Sequence, residues 1–360
     1  MSRATVATIH LGALRRNLAR VRERAGDARI MAVIKADGYG HGLERVARAL
    51  GEADAFGVAA LGDGLRLRAA GIGKRIVVLS GPDDAGDLAE FRRLQLDAVI
   101  HHDSQLAWLE ADGDIRALRV WLKLDTGMHR LGFAPERAHD VHSRLRALPN
   151  IDADIVLMTH FAASDEFDNP STDDQIAVFG QTTHDLTGLR SLSNSAAVLR
   201  RVAARGDWIR VGGLLYGLSV IESKSGADLG FEPVMTLSTK LIAVNRVRKG
   251  ERVGYAATWE CPEDTNIGVA AIGYGDGYPR SARAGTPVLV DGAYAAIAGR
   301  VSMDLMTIDL RNAPDAKVGD RVVLWGRELP VEVIAGYAGT ISYDLTCGMT
   351  KRVLFAEDEA

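Results

Sequence analysis

Cysteine is nearly absent from this chain of 360 residues: only Cys261 and Cys347 occur, and they do not form a C-x-x-C pair. Two cysteines cannot build a disulfide scaffold or a cysteine-rich zinc site, and such low usage is typical of a reducing compartment. No uncharged apolar run reaches the length of about 18 residues that a membrane span needs, and the N-terminus lacks the apolar segment of a signal peptide. We therefore expect a cytoplasmic protein with no membrane contact.

An excess of positive charge is also missing, since 43 Lys and Arg residues stand against 47 Asp and Glu residues. A protein that binds nucleic acid by neutralising phosphates needs a basic surface, and no basic stripe appears, so we expect no nucleic-acid partner. Gly and Pro are close to average, which excludes collagen-like and low-complexity chains. His101 and His102 have no carboxylate or cysteine at ligand spacing, so we predict no metal site.

Short β-branched runs alternate with amphipathic helical stretches over residues 10–225. Alternation of strands with helices implies parallel pairing, and eight such repeats predict a closed (β/α)8 barrel of the TIM type. A doubly wound open sheet is the alternative, but no G-x-G-x-x-G or G-x-x-x-x-G-K-[ST] loop supports it. The eight predicted strands are Arg29–Lys35, Ala55–Ala60, Ile76–Gly81, Leu96–His101, Arg119–Asp125, Asp154–His160, Leu189–Asn194 and Trp208–Gly213.

Residues 226–360 have a different sequence pattern. Long runs in which apolar and polar residues alternate are broken by Asp-Gly and Lys-Gly turns, and there is little helical periodicity. Asp291-Gly292 between two such runs is a good hairpin signal. We predict an all-β C-terminal domain here. The N-terminal segment 1–9 also contains a strand-like run and has no place among the eight barrel strands, so we expect it to join the distant β domain.

Polar residues follow the predicted barrel strands at the edge where functional residues collect in this fold. Each one alone has an ordinary explanation: Asn194 and Ser195 as helix caps, Gly212 and Gly213 as tight packing, the others as solvated or hydrogen-bonded side chains. Together, a lysine at the first strand and an anion cradle after the seventh and eighth strands are what a pyridoxal 5′-phosphate site requires. The set comprises Lys35, Lys123, Arg130, His160, Asn194, Ser195, Arg210, Gly212 and Gly213.

Nine motifs, in order from about residue 4 to the C-terminus, resemble those of bacterial alanine racemases of the proteobacterial type. Each motif is weak alone, but nine in register are very specific. The resemblance implies a pyridoxal-phosphate enzyme of fold type III that interconverts L- and D-alanine as a homodimer with active sites shared between subunits. The motifs are AVIKADGYGHG, KLDTGMHRLG, THFAASDE, NSAA, IRVGGLLYG, VGYAATW, IGYGDGYPR, VSMD and TISYDLTCGMTKRVLF.

The same resemblance implies roles for individual residues. Lys35 matches the lysine that carries the cofactor and acts as one base, and Tyr255 matches the opposite base, which comes from the second subunit. Arg130 and Met303 match substrate contacts, and Lys123 matches a lysine that is often carbamylated. Gly213 departs from the family pattern, where a β-branched residue is common, but a backbone N–H contact survives that change. The implied cofactor contacts are Lys35, Tyr39, His160, Asn194, Ser195, Arg210, Gly212, Gly213 and Tyr343.

Three other hypotheses about the function remain open from the sequence. A pyridoxal-phosphate decarboxylase of similar build needs a catalytic cysteine, for which Cys347 is a poor candidate, and leaves Tyr255 without a role. A non-catalytic cofactor carrier with a single barrel needs no second domain. An exported racemase of broad specificity needs a signal peptide. If the protein is an alanine racemase, the reaction serves either D-alanine supply for peptidoglycan or alanine breakdown.

Overall fold

The computed structural model describes residues 4–200 and 202–359, so residues 1–3 of the predicted N-terminal strand, and residues 201 and 360 of the two predicted domains, lie outside the described residues. The chain divides into two compact units. The barrel unit comprises Asn17–Leu215 and Val220–Glu222, and the β unit comprises the residues up to Arg16, Tyr216–Ser219 and the residues from Ser223 onward. The first elements are strand β1 (Val6–His10) and helix α1 (Leu11–Ala25).

The barrel unit contains eight parallel strands in the order β8-β7-β6-β5-β4-β3-β2-β9. They are β2 (Arg29–Val33), β3 (Ala55–Val58), β4 (Ile76–Val78), β5 (Leu96–Ile100), β6 (Val120–Lys123), β7 (Val156–Met158), β8 (Leu189–Ser191) and β9 (Trp208–Val211). The N–H of Asp207 donates to Arg190 O at 2.8 Å across the seam between β8 and β9. The predicted (β/α)8 barrel is confirmed, with every strand leaving the sheet one to three residues before its predicted end.

Helices follow the strands on the outside of this sheet, as the alternating pattern predicts. No helix of the described chain is long and apolar enough to cross a bilayer. The helices are α2 (Lys35–Tyr39), α3 (Leu43–Ala49), α4 (Leu61–Ala69), α5 (Asp87–Arg93), α6 (Asp103–Ala111), α7 (Ala138–Ala147), α8 (Ser171–Thr183) and α9 (Ser195–Arg200).

Ionic and aromatic side chains close the amino end of the barrel. The fully buried carboxylate of Asp97 accepts hydrogen bonds from Arg75 at 2.6 Å, Arg119 at 2.8 Å and the Trp121 indole at 2.8 Å. The Arg75 guanidinium also lies over the rings of Trp121 and Trp208, at 5.7 Å and 5.3 Å from their centroids. Because a buried charge is stable only when paired, these three donors account for the burial of the Asp97 carboxylate at this end.

The β unit is a mainly antiparallel sheet in the order β13-β16-β15-β14-β17-β10-β1-β18, closed by a further pairing of β10 with β13. β1 pairs antiparallel with β10 and parallel with β18. The unit also contains two short helices that the sequence pattern did not indicate. Its elements are β10 (Met235–Val247), β11 (Arg252–Val253), β12 (Trp259–Glu260), β13 (Thr265–Ala270), β14 (Pro287–Val290), β15 (Ala293–Ile297), β16 (Met306–Asp309), β17 (Arg321–Trp325), α10 (Val331–Ala338), α11 (Ser342–Cys347) and β18 (Leu354–Asp358).

Candidate active site

Four cationic or titratable side chains lie at the carboxyl ends of barrel strands. Lys123 is the last residue of β6, Lys35 and His160 each follow a strand by two residues, and Arg210 is the third residue of β9. All eight strands run in the same direction, so their carboxyl ends share one edge, which is where enzymes of this fold bind their substrates. The structure therefore brings together the strand-end residues that the sequence singled out.

The segment after Lys35 is a left-handed helical turn. Ala36, Asp37 and Gly38 have φ angles of 53°, 54° and 63°, and Tyr39 has a φ of 54°. The sequence predicts a flexible loop here because of its three glycines; the structure instead has backbone hydrogen bonds, including Gly40 N–H to Ala36 O at 2.9 Å. Lys35, the first residue of this turn, is exposed in the single chain.

Tyr39, Ser195 and Gly212 meet at one place on the barrel edge. The N–H of Gly212 donates to the Ser195 hydroxyl at 2.9 Å. A methyl group at Gly212 would lie only 2.4 Å from the Tyr39 hydroxyl oxygen, so only glycine lets the tyrosine approach the backbone here. The two hydroxyl groups at this point, with the Gly212 N–H held against Ser195, form a donor set suited to an anion. Gly213, the next residue, begins a 3-10 turn (Gly213–Tyr216).

Asn194 has a capping role. Its Oδ1 accepts from Ala197 N–H at 3.1 Å and from the Ser164 hydroxyl at 2.9 Å, so it ties the start of α9 to the segment after β7. These bonds give Asn194 the capping contact that a residue before a helix ordinarily makes.

Arg210 is buried and held by protein acceptors at both terminal nitrogens. Its Nη1 donates to Ser191 O at 2.8 Å and to the Ser191 hydroxyl at 2.7 Å, and its Nη2 donates to Thr159 O at 2.5 Å, Leu192 O at 3.2 Å and His160 Nδ1 at 3.2 Å. Among the described residues no acceptor contacts its Nε–H, so this donor is available to a ligand. Burial lowers the pKa of Arg210 to about 10, which still leaves it cationic at neutral pH.

His160 is neutral mainly because it is buried, and the contact with Arg210 adds to this effect. Burial, and then the charge of Arg210, hold the pKa of His160 well below its usual value. A neutral imidazole has one nitrogen without a proton, and Nδ1 is that acceptor here because it receives the guanidinium N–H. The pair thus presents a cation whose proton cannot be given to a ligand.

Lys123 is the most unusual cation of the edge. Burial first, and then the positive charges of Arg210 and Arg130, lower the pKa of Lys123 to about 8. Arg130 itself is exposed, in a loop whose shape Asp125 sets. One oxygen of the Asp125 carboxylate accepts the N–H groups of Gly127, Met128 and His129 at 3.0, 3.1 and 3.0 Å. The cations therefore outnumber the anions around Lys123.

Two positions that support this edge gave no signal in the sequence. Gln175, in α8, donates to His160 O at 3.1 Å and accepts from Ala162 N–H at 2.9 Å, which fixes the end of β7. His41 is fully buried and contacts the left-handed turn. An amide in an ordinary amphipathic helix, and a histidine in a glycine-rich segment, look the same in sequence whether or not they support a site.

Tyr255, Met303 and Tyr343 lie in the β unit. Tyr255 begins a 3-10 turn (Tyr255–Ala257) and its side chain is 67% exposed. Met303 lies between β15 and β16 and is 53% exposed, although its carbonyl accepts from Gly275 N–H at 2.8 Å. Tyr343 is the second residue of α11 and is half-buried. The described residues contain no group of three His, Cys, Asp or Glu side chains that could hold a metal ion.

Comparisons with known proteins agree with this arrangement. Residues 9–220 match the family model "Alanine racemase, N-terminal domain", and residues 234–356 match "Alanine racemase, C-terminal domain". Alanine racemase of Shewanella loihica is 48% identical over 347 residues, covering 96% of this chain and 97% of that protein. The Coxiella burnetii protein is 47% identical over 364 residues, with both chains fully covered.

Solved structures give the same result. The biosynthetic alanine racemase from Pseudomonas aeruginosa superposes with a TM-score of 0.96 at 44% identity, covering 99% of each chain. Alanine racemase from Acinetobacter baumannii superposes with a TM-score of 0.93 at 35% identity, covering 99% of this chain and 100% of that one. The resemblance seen in the motifs is confirmed. Since both domains match in order, and the relatives are similar along their whole length, the chain belongs to the alanine racemase family and is an amino-acid racemase.

Proposed function

We propose that this enzyme interconverts L- and D-alanine with pyridoxal 5′-phosphate, using Lys35 and Tyr255 as the two bases. The observation that carries the proposal is the pairing, at one barrel edge, of a lysine after β2 with the hydroxyl and N–H donors of Tyr39, Ser195 and Gly212. When bound, the cofactor supplies an aldehyde that joins the substrate amino group and a ring that withdraws electrons from the Cα–H bond.

The donor set fits this cofactor. The Ser195 hydroxyl, the N–H groups of Gly212 and Gly213 and the Tyr39 hydroxyl would hold the phosphate, and the resemblance adds Tyr343 and Asn194 to the cofactor contacts. Arg210 would donate to the pyridine nitrogen. Because the terminal nitrogens of Arg210 are engaged by Ser191, Thr159 and His160, the side chain is fixed and always charged. An arginine cannot protonate the ring nitrogen, which restrains electron withdrawal and limits side reactions.

Racemisation removes the Cα proton from one face and returns a proton to the other, so it needs an acid/base group on each face. Lys35 would serve one face as the acid/base group, and Tyr255 would serve the other. The family resemblance assigns Tyr255 to L-alanine and Lys35 to D-alanine. Arg130 and the backbone at Met303 would orient the substrate carboxylate.

This assignment requires a homodimer with active sites shared between the subunits. Tyr255 and Met303 are 67% and 53% exposed, and Leu305, two residues after Met303, is 40% exposed. Large exposed apolar groups of this kind are typical of a protein–protein contact. In the proposed dimer they would face the barrel edge of the second copy, and the apolar crowding by tyrosines and Met303 would favour a side chain no larger than methyl.

Carbamylation of Lys123 would supply the missing anion. A buried lysine with a pKa of about 8 is partly neutral at physiological pH, and only the neutral amine is nucleophilic. The amine nitrogen attacks the carbon of carbon dioxide, loses one proton to solvent and forms a carbamate with one negative charge. This charge would neutralise the cations around it and orient Arg130.

The reaction would supply D-alanine for peptidoglycan or start alanine breakdown, and the low cysteine content suits a cytoplasmic enzyme. The test is incubation of the purified protein with L-alanine, with and without pyridoxal phosphate, while circular dichroism follows the loss of optical activity. We expect decay to zero ellipticity only with the cofactor. Release of carbon dioxide would indicate the decarboxylase instead, and an unchanged signal would indicate a carrier.

A further inference from the structure

The left-handed turn after Lys35 must be stabilised by contacts with residues outside it. A left-handed conformation costs about 1–2 kcal/mol for each non-glycine residue, and three of the four residues Ala36–Tyr39 are not glycine. Gly38 is required twice over, because its φ is 63° and a methyl group there would lie 3.0 Å from Val46 Cγ2. Such a turn persists only where surrounding contacts fix it.

His41 provides the buried contact. Its side chain is 0% exposed, and its Nδ1 lies 2.8 Å from Tyr39 O and 3.1 Å from Gly38 O. Carbonyl oxygens only accept hydrogen bonds, so Nδ1 carries the proton. Burial lowers the pKa of His41 to about 4, so the ring is neutral at pH 7 and this is its single N–H.

Other contacts of the turn include backbone hydrogen bonds from Gly38 N–H to Ile34 O at 2.9 Å and from His41 N–H to Gly38 O at 3.0 Å. The Asp37 carboxylate accepts from Leu43 N–H at 3.2 Å and from Arg66 at 2.8 Å, but the Asp37 and Arg66 side chains are 53% and 47% exposed. Exposed ion pairs contribute little because solvent screens them. Gly42 N–H donates to Asp37 O at 2.8 Å, which closes the turn but does not tie it to another side chain. His41 is therefore the buried side chain that holds the two carbonyls.

We propose that His41 is a positioning residue of the active site: by holding the carbonyls of Gly38 and Tyr39, it fixes the turn that directs Lys35 and sets the Tyr39 hydroxyl against Gly212. The inference rests on the proposed function, in which Lys35 and Tyr39 both hold the cofactor. His41 touches no reacting atom and acts through these two residues.

The experiment compares three substitutions at this position in the full-length dimer. His41→Asn keeps an N–H donor near the position of Nδ1, His41→Gln moves the donor outward, and His41→Leu removes it. His142 is the control, because it is also buried in the barrel unit and bonds to a backbone carbonyl, that of Thr187 at 2.9 Å, in a different part of the fold. The readouts are the dissociation constant of pyridoxal phosphate, from absorbance titration of the apoprotein, and hydrogen exchange at the Gly40 and Gly42 amides.

We expect His41→Leu and His41→Gln to weaken cofactor binding about tenfold, the effect of about 1.4 kcal/mol, and to speed exchange at Gly40 and Gly42. His41→Asn should stay within about threefold of the parent, as a donor that preserves the bond. His142→Leu should lower the melting temperature without changing either readout. If His41→Leu does not fold, the difference in cofactor affinity and exchange rate between His41→Gln and His41→Asn still tests the inference.

Equal binding and exchange in the parent, His41→Gln and His41→Asn proteins would overturn the inference, and so would equal weakening in both variants. If the parent itself neither binds pyridoxal phosphate nor racemises alanine, the proposed function fails instead. In that case the exchange rates at Gly40 and Gly42 still report whether His41 holds the turn.

Discussion

The barrel edge and the exposed turns of the β unit are built in opposite ways. At the barrel edge the side chains themselves are fixed: Arg210 is buried and held by acceptors at the ends of two strands, β7 and β8, and Ser195 accepts the Gly212 N–H. In the β unit the backbone is fixed while the side chains of Tyr255 and Met303 point into solvent. The Met303 turn, for example, is tied through Asp304 to Arg352, which also pairs with buried Asp276 at 3.2 Å.

This contrast teaches how the two regions are used. Fixed side chains suit a cofactor site that exists in every single chain, since preorganised donors need no rearrangement when the ligand arrives. Fixed backbones with exposed apolar side chains suit groups that are offered to another molecule. The comparison supports the proposal that the barrel holds the cofactor and that the β unit completes the site of a second copy.

Among the tests of this comparison, substitution of Lys35 in the barrel should have the largest effect. Lys35→Ala should lower kcat by about 1,000-fold or more, because a positioned acid/base group contributes about 10²–10⁴ and in the proposed function this lysine also carries the cofactor. Racemisation of each enantiomer is measured by circular dichroism. Adding methylamine should restore exchange of the Cα proton on one face only, and equal restoration on both faces would contradict the two-base assignment. Lys249→Ala, at an exposed turn of the β unit, is the control.

Substitution of Tyr255 should have the next largest effect on racemisation. Tyr255→Phe should lower kcat by about 100-fold or more, while leaving the cofactor bound, since only the acid/base hydroxyl is lost. In deuterated water the variant should still exchange the Cα proton of D-alanine but not that of L-alanine, as followed by proton NMR. Tyr294→Phe is a matched control, because Tyr294 is 60% exposed in the same unit. Loss of exchange for both enantiomers would exclude a face-specific role.

A smaller effect should follow from the loss of the proposed carbamate. Lys123→Met should raise the KM for alanine about tenfold with a smaller change in kcat, the effect of one charge-assisted hydrogen bond through Arg130. Labelled bicarbonate should give a carbamate carbon signal in the parent and none in the variant. Because burial lowers the pKa of Lys123 to about 8, the neutral amine and the signal should both increase as pH rises through 8. A parent protein without the signal would refute carbamylation.

The last prediction concerns the pH dependence of stability. Burial lowers the pKa of His41 from 6.5 to about 4, so the unfolded chain binds more protons between these values. This contribution to stability is therefore complete above pH 6.5 and is lost as pH falls toward 4, by an amount on the order of 3 kcal/mol. Urea unfolding at pH 7.5 and pH 5 measures the first part of this loss, about 2 kcal/mol. His41→Asn should show a shallower pH dependence than His184→Asn, a change at an exposed histidine.

Much of the barrel could be predicted from the sequence because local residue patterns mark its strands and helices. Each β-branched run between amphipathic stretches became a strand, and the residue types at the strand ends identified Lys35, His160 and Arg210. The predicted ends ran too far because polar residues such as His160 leave the sheet to enter the site. The helices α10 and α11 gave no helical signal, since they contain only eight and six residues.

The left-handed turn could not be predicted, because it opposes local preference. Alanine, aspartate and tyrosine disfavour a positive φ, and the contact that compensates comes from His41, whose burial depends on the finished fold. The same holds for Gln175, which reaches His160 O from a helix 15 residues away along the chain. Contacts of this kind belong to tertiary structure, and no spacing in the sequence encodes them.

Mixing two inactive variants tests most directly whether one copy lends its phenol to the barrel of another. Lys35→Ala and Tyr255→Phe proteins, each nearly inactive alone, are dissociated, combined in equal amounts and allowed to reassociate. Random pairing gives half heterodimers, each with one intact site of two, so about a quarter of the parent activity should return. If the mixture stays as inactive as its components while heterodimers form, Lys35 and Tyr255 of different copies do not share a site.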